Sequence, residues 1–338
     1  MGLKKVVALL FLTLIACRSD TIEQIPLRLA GVNYLGDLPT LVAARQGVFE
    51  QYQLSIDVSF EDAGRQNLQD LREGHIDFAL MAPTPFILDR LAHPGQEMQD
   101  DDPVILGNLL HSTRMQQIFT RKDYGFQTVN DLAGKRLGLS PGTNAEYLWW
   151  LYGVSYHLKP NSVEIVDLSP AELGSALMTG EVDAVLIREP WSTQLRLTHA
   201  EEIEEVEGSH LYSAKWLLVT TRKMVRDHPK QCQQLLKAYS KAINMIHLNH
   251  DAIMSWYGEE LKDRYSLLPA TYSAGLHELT LNWSLIAELQ QGIQWAKLTD
   301  ASGADNETEV MSWFEAGPLR QVQPHAVKIP VTSAQMNQ

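Results

Sequence analysis

The residues with chemical potential in this chain sit at loop positions, not in a catalytic cluster. Pro141-Gly142-Thr143-Asn144 precedes a helical run, an order that suits an anion. A helix N-terminus offers unpaired N–H groups and positive dipole potential, and Thr143 and Asn144 add side-chain hydrogen bonds. Both are also ordinary N-cap residues, so capping alone explains their types. A second set, Tyr34, Asp37, Glu189 and Trp191, combines aromatic faces with carboxylates and suits a neutral or cationic nitrogen heterocycle. Each has a structural reading as well. Asp37 fits a helix start, Glu189 a buried hydrogen-bonded pair, and Tyr34, Trp149 and Trp191 core packing. An oxyanion would also want a cation, and Arg188 or Arg114 is available. The acidic balance leans slightly towards the heterocycle, but the ligand stays open.

Nothing else has the spacing of a reactive centre. There is no phosphate loop, no Cys pair and no recognisable nucleophile motif. His247 and His250 lie on one helical run beside Asp251, but no third ligand accompanies them, so neither a metal nor a cofactor is expected. The acidic stretch Glu201–Glu207 reads as a solvated face.

These loops need a scaffold, and a repeat supplies it. Leu71-Arg-Glu-Gly74-His-Ile76-Asp77-Phe-Ala-Leu80 and Leu177-Met-Thr-Gly180-Glu-Val182-Asp183-Ala-Val-Leu186 share Leu, Gly, a β-branched residue, Asp and Leu at one offset. In each, a helix ends at Gly and a short apolar strand runs into a proline-containing loop. The flanking pattern is also shared. Pro26–Gly31, Leu54–Phe60 and Ile76–Met81 read as strands, with helices from Pro39 and over 64–72. Leu137–Ser140, Val163–Leu168 and Ala184–Ile187 repeat the strands, with helices over 145–156 and 170–178. Two strand–helix–strand–helix–strand units imply parallel sheets with right-handed crossovers. Strands over 104–110 and 117–121 lead across to the second unit, and 216–220 leads back. Two connections make a hinge with a cleft between two lobes. Residues 221–300 read as mostly helical, with 279–298 broken only at Gly292, and the chain from Gly317 as a poorly ordered tail.

At 338 residues the chain can hold two cores, and 45% hydrophobic with 20% charged residues marks it as globular. A formal charge of -13 with no Lys/Arg cluster argues against nucleic acid. Lys4-Lys5 followed by an apolar run to Ala16 is too short to span a bilayer and suits a signal peptide over residues 1–16. Leu14-Ile15-Ala16-Cys17 resembles the lipobox of bacterial lipoproteins, in which Cys17 becomes the lipidated first residue; an ordinary signal peptide is the alternative. The other cysteine, Cys232, then has no partner and reads as a structural thiol.

In this order the pieces resemble the periplasmic substrate-binding proteins of ABC importers, in the branch taking nitrate, sulfonates, taurine and thiamine-precursor pyrimidines. The matching segments are Leu38-Pro39, Ala44-Arg45, Gly47–Glu50, Leu54–Val58, Leu71–Ala79, Asp131–Gly138, Gly180–Ala184 and Glu189-Pro190. The resemblance implies an α/β, type II periplasmic-binding-protein fold: two similar βαβαβ lobes, an interlobe ligand cleft and a mostly helical C-terminal segment. Lobe 1 would take residues 26–113 plus 217–300 and lobe 2 residues 114–216. A lipidated tether over 17–25 and a partly disordered extension over 301–338 complete the division.

Carried over by position, the ligand should meet Asn33, Tyr34 and Asp37; Pro83 and Thr84; Gly142, Thr143 and Asn144; and Glu189 and Trp191. Thr113, at the crossing, is a further candidate. The Ala82–Thr84 and Glu189–Trp191 loops should face each other across the cleft. The implied function is a lipid-anchored extracytoplasmic receptor delivering a sulfonate, nitrate or pyrimidine-like molecule to an ABC permease, and a monomer is expected. A ligand-sensing subunit is one alternative. An enzyme resembling fungal thiamine-pyrimidine synthases is another, but those carry a cysteine-rich motif that this chain lacks.

Overall fold

The structure is a computed structural model that describes residues 26–61, 64–93, 99–159, 161–207, 212–260, 276–299 and 309–330. The expected signal peptide, Cys17 and the expected tether lie outside the described residues. In chain order the strands are β1 (Pro26–Val32), β2 (Ser55–Glu61), β3 (Phe78–Met81), β4 (Pro103–His111), β5 (Gln116–Arg121), β6 (Arg136–Leu139), β7 (Glu164–Asp167), β8 (Ala184–Arg188), β9 (Ile203–Glu205), β10 (Leu217–Thr221) and β11 (Leu276–Thr280). They form two sheets, ordered β11-β4-β10-β3-β1-β2 and β7-β6-β8-β5-β9.

The lobes share a plan. In the first, β2, β1 and β3 are parallel and β10 enters antiparallel beside β3; in the second, β7, β6 and β8 are parallel and β5 enters antiparallel beside β8. Burial follows position. Every residue of the central strand β3 is buried, whereas edge strand β2 exposes Ser55, Asp57 and Ser59 and half-buries Ile56, Val58 and Phe60. The crossing segments pair with each other: Ala214 N–H donates to the Ser112 carbonyl at 2.7 Å and Leu109 N–H to the Trp216 carbonyl at 2.8 Å.

The repeated Gly-x-β-Asp motif has a structural task. Gly74 and Gly180 end their helices with φ of 71° and 78°, the left-handed region that a side chain resists. The Asp that follows clamps the start of the central strand. Asp77 accepts from Arg28 N–H at 2.7 Å, and the Arg28 guanidinium reaches the Gly74 carbonyl at 2.9 Å. Asp183 accepts from Arg136 N–H at 2.8 Å, and the Arg136 guanidinium reaches the Gly180 carbonyl at 2.9 Å. The entering strands attach to the same residues. Thr220 donates to the Asp77 carbonyl at 2.7 Å, and Thr120 to the Asp183 carbonyl at 2.9 Å.

Two expectations for the C-terminal part change. Residues 279–298 are not one helical run. Leu276–Thr280 is an edge strand beside β4, and the helix is Trp283–Leu298, capped by Asn282 on the N–H groups of Ser284 and Leu285. Gly292 does not break it. A Cβ there would lie 2.3 Å from Ile87, so glycine lets this helix approach the helix Pro83–Ala92. Nor is residues 309–330 a loose extension. Trp313, Phe314, Ala316 and Leu319 are buried in the lobe 1 core, Trp313 packs edge-on to Phe86, and Leu281 N–H donates to the Ala326 carbonyl at 2.9 Å. Residues 301–308 and 331–338 of the expected extension lie outside the described residues.

Replacing Asp183 by Ala strips acceptors from both the Arg136 backbone and its guanidinium. Urea unfolding is expected to show a loss of roughly 1–3 kcal/mol, while Asp57→Ala on the exposed edge of β2 should stay within about 0.5 kcal/mol of wild type.

Candidate ligand site

Four loops leave the carboxyl ends of parallel strands: Asn33–Asp37 after β1, Ala82–Thr84 after β3, Ser140–Asn144 after β6, and Glu189–Trp191 after β8. β1 neighbours β3 and β6 neighbours β8, so each lobe presents an adjacent pair of loops, the usual ligand position in such sheets.

Two expected residues meet directly across the lobes. The Thr84 hydroxyl donates to Asn144 Oδ1 at 2.8 Å, and both side chains are buried. Asn144 Nδ2 donates to the Tyr212 hydroxyl at 2.8 Å, and that hydroxyl donates to Glu288 Oε1 on the helix Trp283–Leu298. The chain of donors therefore runs from lobe 1 through lobe 2 and back, ending on a buried carboxylate. Burial pushes Glu288 up to about 7, against the lowering effects of Tyr212 and Lys215. Beside this relay, Tyr147 packs edge-on to Tyr212 and Trp295 with ring centroids 5.9 and 5.5 Å apart, so helices of opposite lobes touch here.

The carboxylates and the β6 turn face inward. Asp37 accepts from Val32 N–H at 2.7 Å and from the Thr40 hydroxyl, which lies 2.8 Å from that of Tyr239. Burial raises Asp37 to about 7, and a Cβ on Gly31 would collide with its Oδ2 at 2.6 Å. Glu189 caps its own helix, accepting from the Thr193 hydroxyl at 3.0 Å and the Thr193 N–H at 3.3 Å; burial raises its pKa. Thr143 is the N-cap of the helix Asn144–Ser155, and Gly142 donates its N–H to Glu146 at 2.7 Å. The loops expected to face each other meet differently, with Thr84 engaging Asn144 and Glu189 folding back on its own helix.

Of the remaining expected residues, Pro83 is the buried first residue of its helix, Asn33 and Trp191 are half-buried, and Thr113 and Arg114 are exposed. Tyr34 is buried against Trp216, ring centroids 4.7 Å apart, and the Arg188 guanidinium of lobe 2 lies over its ring at 5.2 Å. Burial raises the Tyr34 pKa, so the ring meets Arg188 as a neutral phenol.

Sequence reasoning missed Arg65, Tyr212 and Glu288. Arg65, exposed at the start of the helix Gly64–Arg72, brings Nη1 within 3.4 Å of where a Cβ on Gly142 would sit. It has no hydrogen bond or ion pair among the described residues. Arg65 and Arg188 thus bring guanidinium groups to the loops from opposite lobes. Cys232, the cysteine among the described residues, is buried in the helix Pro229–Leu248 with its thiol pushed up to about 12 by burial, which does not suit a nucleophile.

The family described as NMT1/THI5 like matches residues 37–252. A Bacillus subtilis (strain 168) protein named for binding aliphatic sulfonates is 27% identical over 210 residues, a match spanning 61% of this chain and 61% of that protein. The solved periplasmic aliphatic sulphonate binding protein SsuA of Escherichia coli superposes with a TM-score of 0.72 at 19% identity, covering 86% of this chain and 97% of that one. The periplasmic nitrate-binding protein NrtA of Synechocystis PCC 6803 gives a TM-score of 0.57 at 16% identity, covering 73% of this chain and 68% of that one. These likenesses show the periplasmic-binding-protein fold.

The buried carboxylates make stability depend on pH. Glu288 sits at about 7 when folded against an ordinary 4.5, so its contribution is complete below about 4.5 and is lost as pH rises through about 7. Asp37, also at about 7, acts in the same direction. The urea midpoint should fall between pH 5 and pH 8, and Glu288→Gln should flatten part of that fall. A Glu288→Gln profile parallel to wild type would contradict the burial of its carboxylate.

Proposed function

The chain belongs to the NMT1/THI5-like family, and on that premise we propose that it is an extracytoplasmic solute-binding protein that closes two lobes on a small organic anion and passes it to an ABC importer. The observation that carries the anion is the arrangement of charge at the loops. Asp37 and Glu189, the carboxylates that a cationic heterocycle would use, are bonded to Thr40 and Thr193. Arg65 instead stands beside the Gly142 turn with no hydrogen bond or ion pair among the described residues, and the Arg188 guanidinium lies over the Tyr34 ring from the opposite lobe. The names of the sulfonate- and nitrate-binding relatives support the same reading.

In this account Arg65 and Arg188 take the charged group, and Thr84 and Asn144 sit where the lobes meet. Tyr34 and Trp191 offer aromatic surface to the organic part, and Asn33, Thr113 and the Gly142–Thr143 turn complete the rim. The ligand favours the closed state because it touches both lobes there and only one when they part. Cys17 would carry the lipid that holds the receptor on the outer face of a membrane, as a monomer beside its permease.

Titration calorimetry with a short alkanesulfonate is expected to show saturable binding. Arg65→Gln should weaken it by roughly 10-fold or more, the worth of one charge-assisted hydrogen bond, without changing the melting temperature of the free protein. Tight binding of a neutral pyrimidine that ignores Arg65→Gln would overturn the anion reading. For the anchor, Cys17→Ser should move the protein from the membrane to the soluble fraction, and continued sedimentation with membranes would rule the lipid out.

A further inference from the structure

A concavity lies on lobe 1 and shares no residue with the four loops. It is a pocket of about 610 Å³ between the helix Pro229–Leu248, β11 and the C-terminal segment near residue 325. Lys237, Lys241 and His247 line one wall and His325 and Lys328 another, with Glu278 as the acidic side chain among the lining residues. All three lysines are exposed, and none has a side-chain hydrogen bond or ion pair among the described residues.

This distribution is not what an acidic chain adopts by default. The formal charge is -13, yet three unpartnered ammonium groups collect around one pocket. Lys237 and Lys241 stand one turn apart on the same helix face, where like charges repel. Lys328 is not a loose surface residue, because its N–H donates to the Leu281 carbonyl at 2.7 Å and fixes the segment along the end of β11. The C-terminal wall is therefore held in place, and the three ammonium groups outnumber the one carboxylate, Glu278, among the lining residues. The volume lies within the range of small-molecule sites and is larger than a bare oxyanion needs.

We propose that this pocket is a second binding site, for a phosphate-bearing ligand whose charge the three lysines neutralise. Lys is a point-charge binder of phosphate, and convergent ammonium groups favour a multiply charged group over a monoanion. Free phosphate compounds and phospholipid headgroups share this chemistry, and the test separates them.

Inorganic pyrophosphate is titrated into the full chain by calorimetry, and vesicles of phosphatidylglycerol or phosphatidylcholine are tested in parallel by co-sedimentation. Saturable pyrophosphate binding, weakened 10-fold or more by Lys237→Gln with Lys241→Gln and separately by Lys328→Gln, supports a soluble ligand. Binding to phosphatidylglycerol vesicles alone, lost in the same variants, supports a headgroup. Arg65→Gln should leave either result unchanged, so failure here does not touch the interlobe reading. The proposal is overturned if neither probe binds. It is also overturned if Lys230→Gln, on the same helix outside the pocket, weakens binding as much, or if Arg65→Gln alone abolishes it.

Discussion

Each sheet in this molecule is completed by a strand that has just crossed from the other lobe. β5 enters sheet two directly after the first crossing, and β10 enters sheet one directly after the second. Both lie antiparallel next to the parallel strand that carries a site loop, and both are tied by a threonine to the carbonyl of the clamping Asp. Neither sheet is complete without the crossing, so the lobes are built around it. Ser112 and Ala214 pair there, and in the proposed closure bending at this point would move the loops after β1 and β3 against those after β6 and β8.

That constraint decides what the loops can do. A polar group buried between lobes needs a partner there, and the Thr84–Asn144–Tyr212–Glu288 relay supplies one at each step with its donors aligned in one direction. The arginines are the opposite case. Arg188 lies over the Tyr34 ring, and Arg65 stands beside Gly142 with no hydrogen bond or ion pair among the described residues. Buried hydrogen bonds join the lobes, while guanidinium groups reach the loops at their margin.

Much of the scaffold was legible because its signals are local. The Gly and Asp of the repeat lie between one helix end and one strand start, whereas the Arg–Asp clamps join residues 49 and 47 apart and left no local sign. The carboxylates could have been read better, since Asp37 bonds a threonine three residues on and Glu189 one four residues on. Tyr212 and Glu288 left no such trace, being 76 residues apart in sequence. Leu276–Thr280 merged with the apolar helix after it, and β11 is identified by its pairing to β4. The chain from Gly317 looked like a tail by its Pro and Gln content, but Pro318 and Leu319 are buried in the core, directly after Trp313 and Phe314. Arg65 gave no local sign that its neighbour would be the turn of the opposite lobe.

The central claim is that an anion holds the two lobes together. Small-angle X-ray scattering across a titration with an alkanesulfonate tests it most directly. The account predicts a radius of gyration that falls saturably as ligand is added and returns on dialysis. A radius that stays constant through saturation, with the sulfonate demonstrably bound, would contradict it.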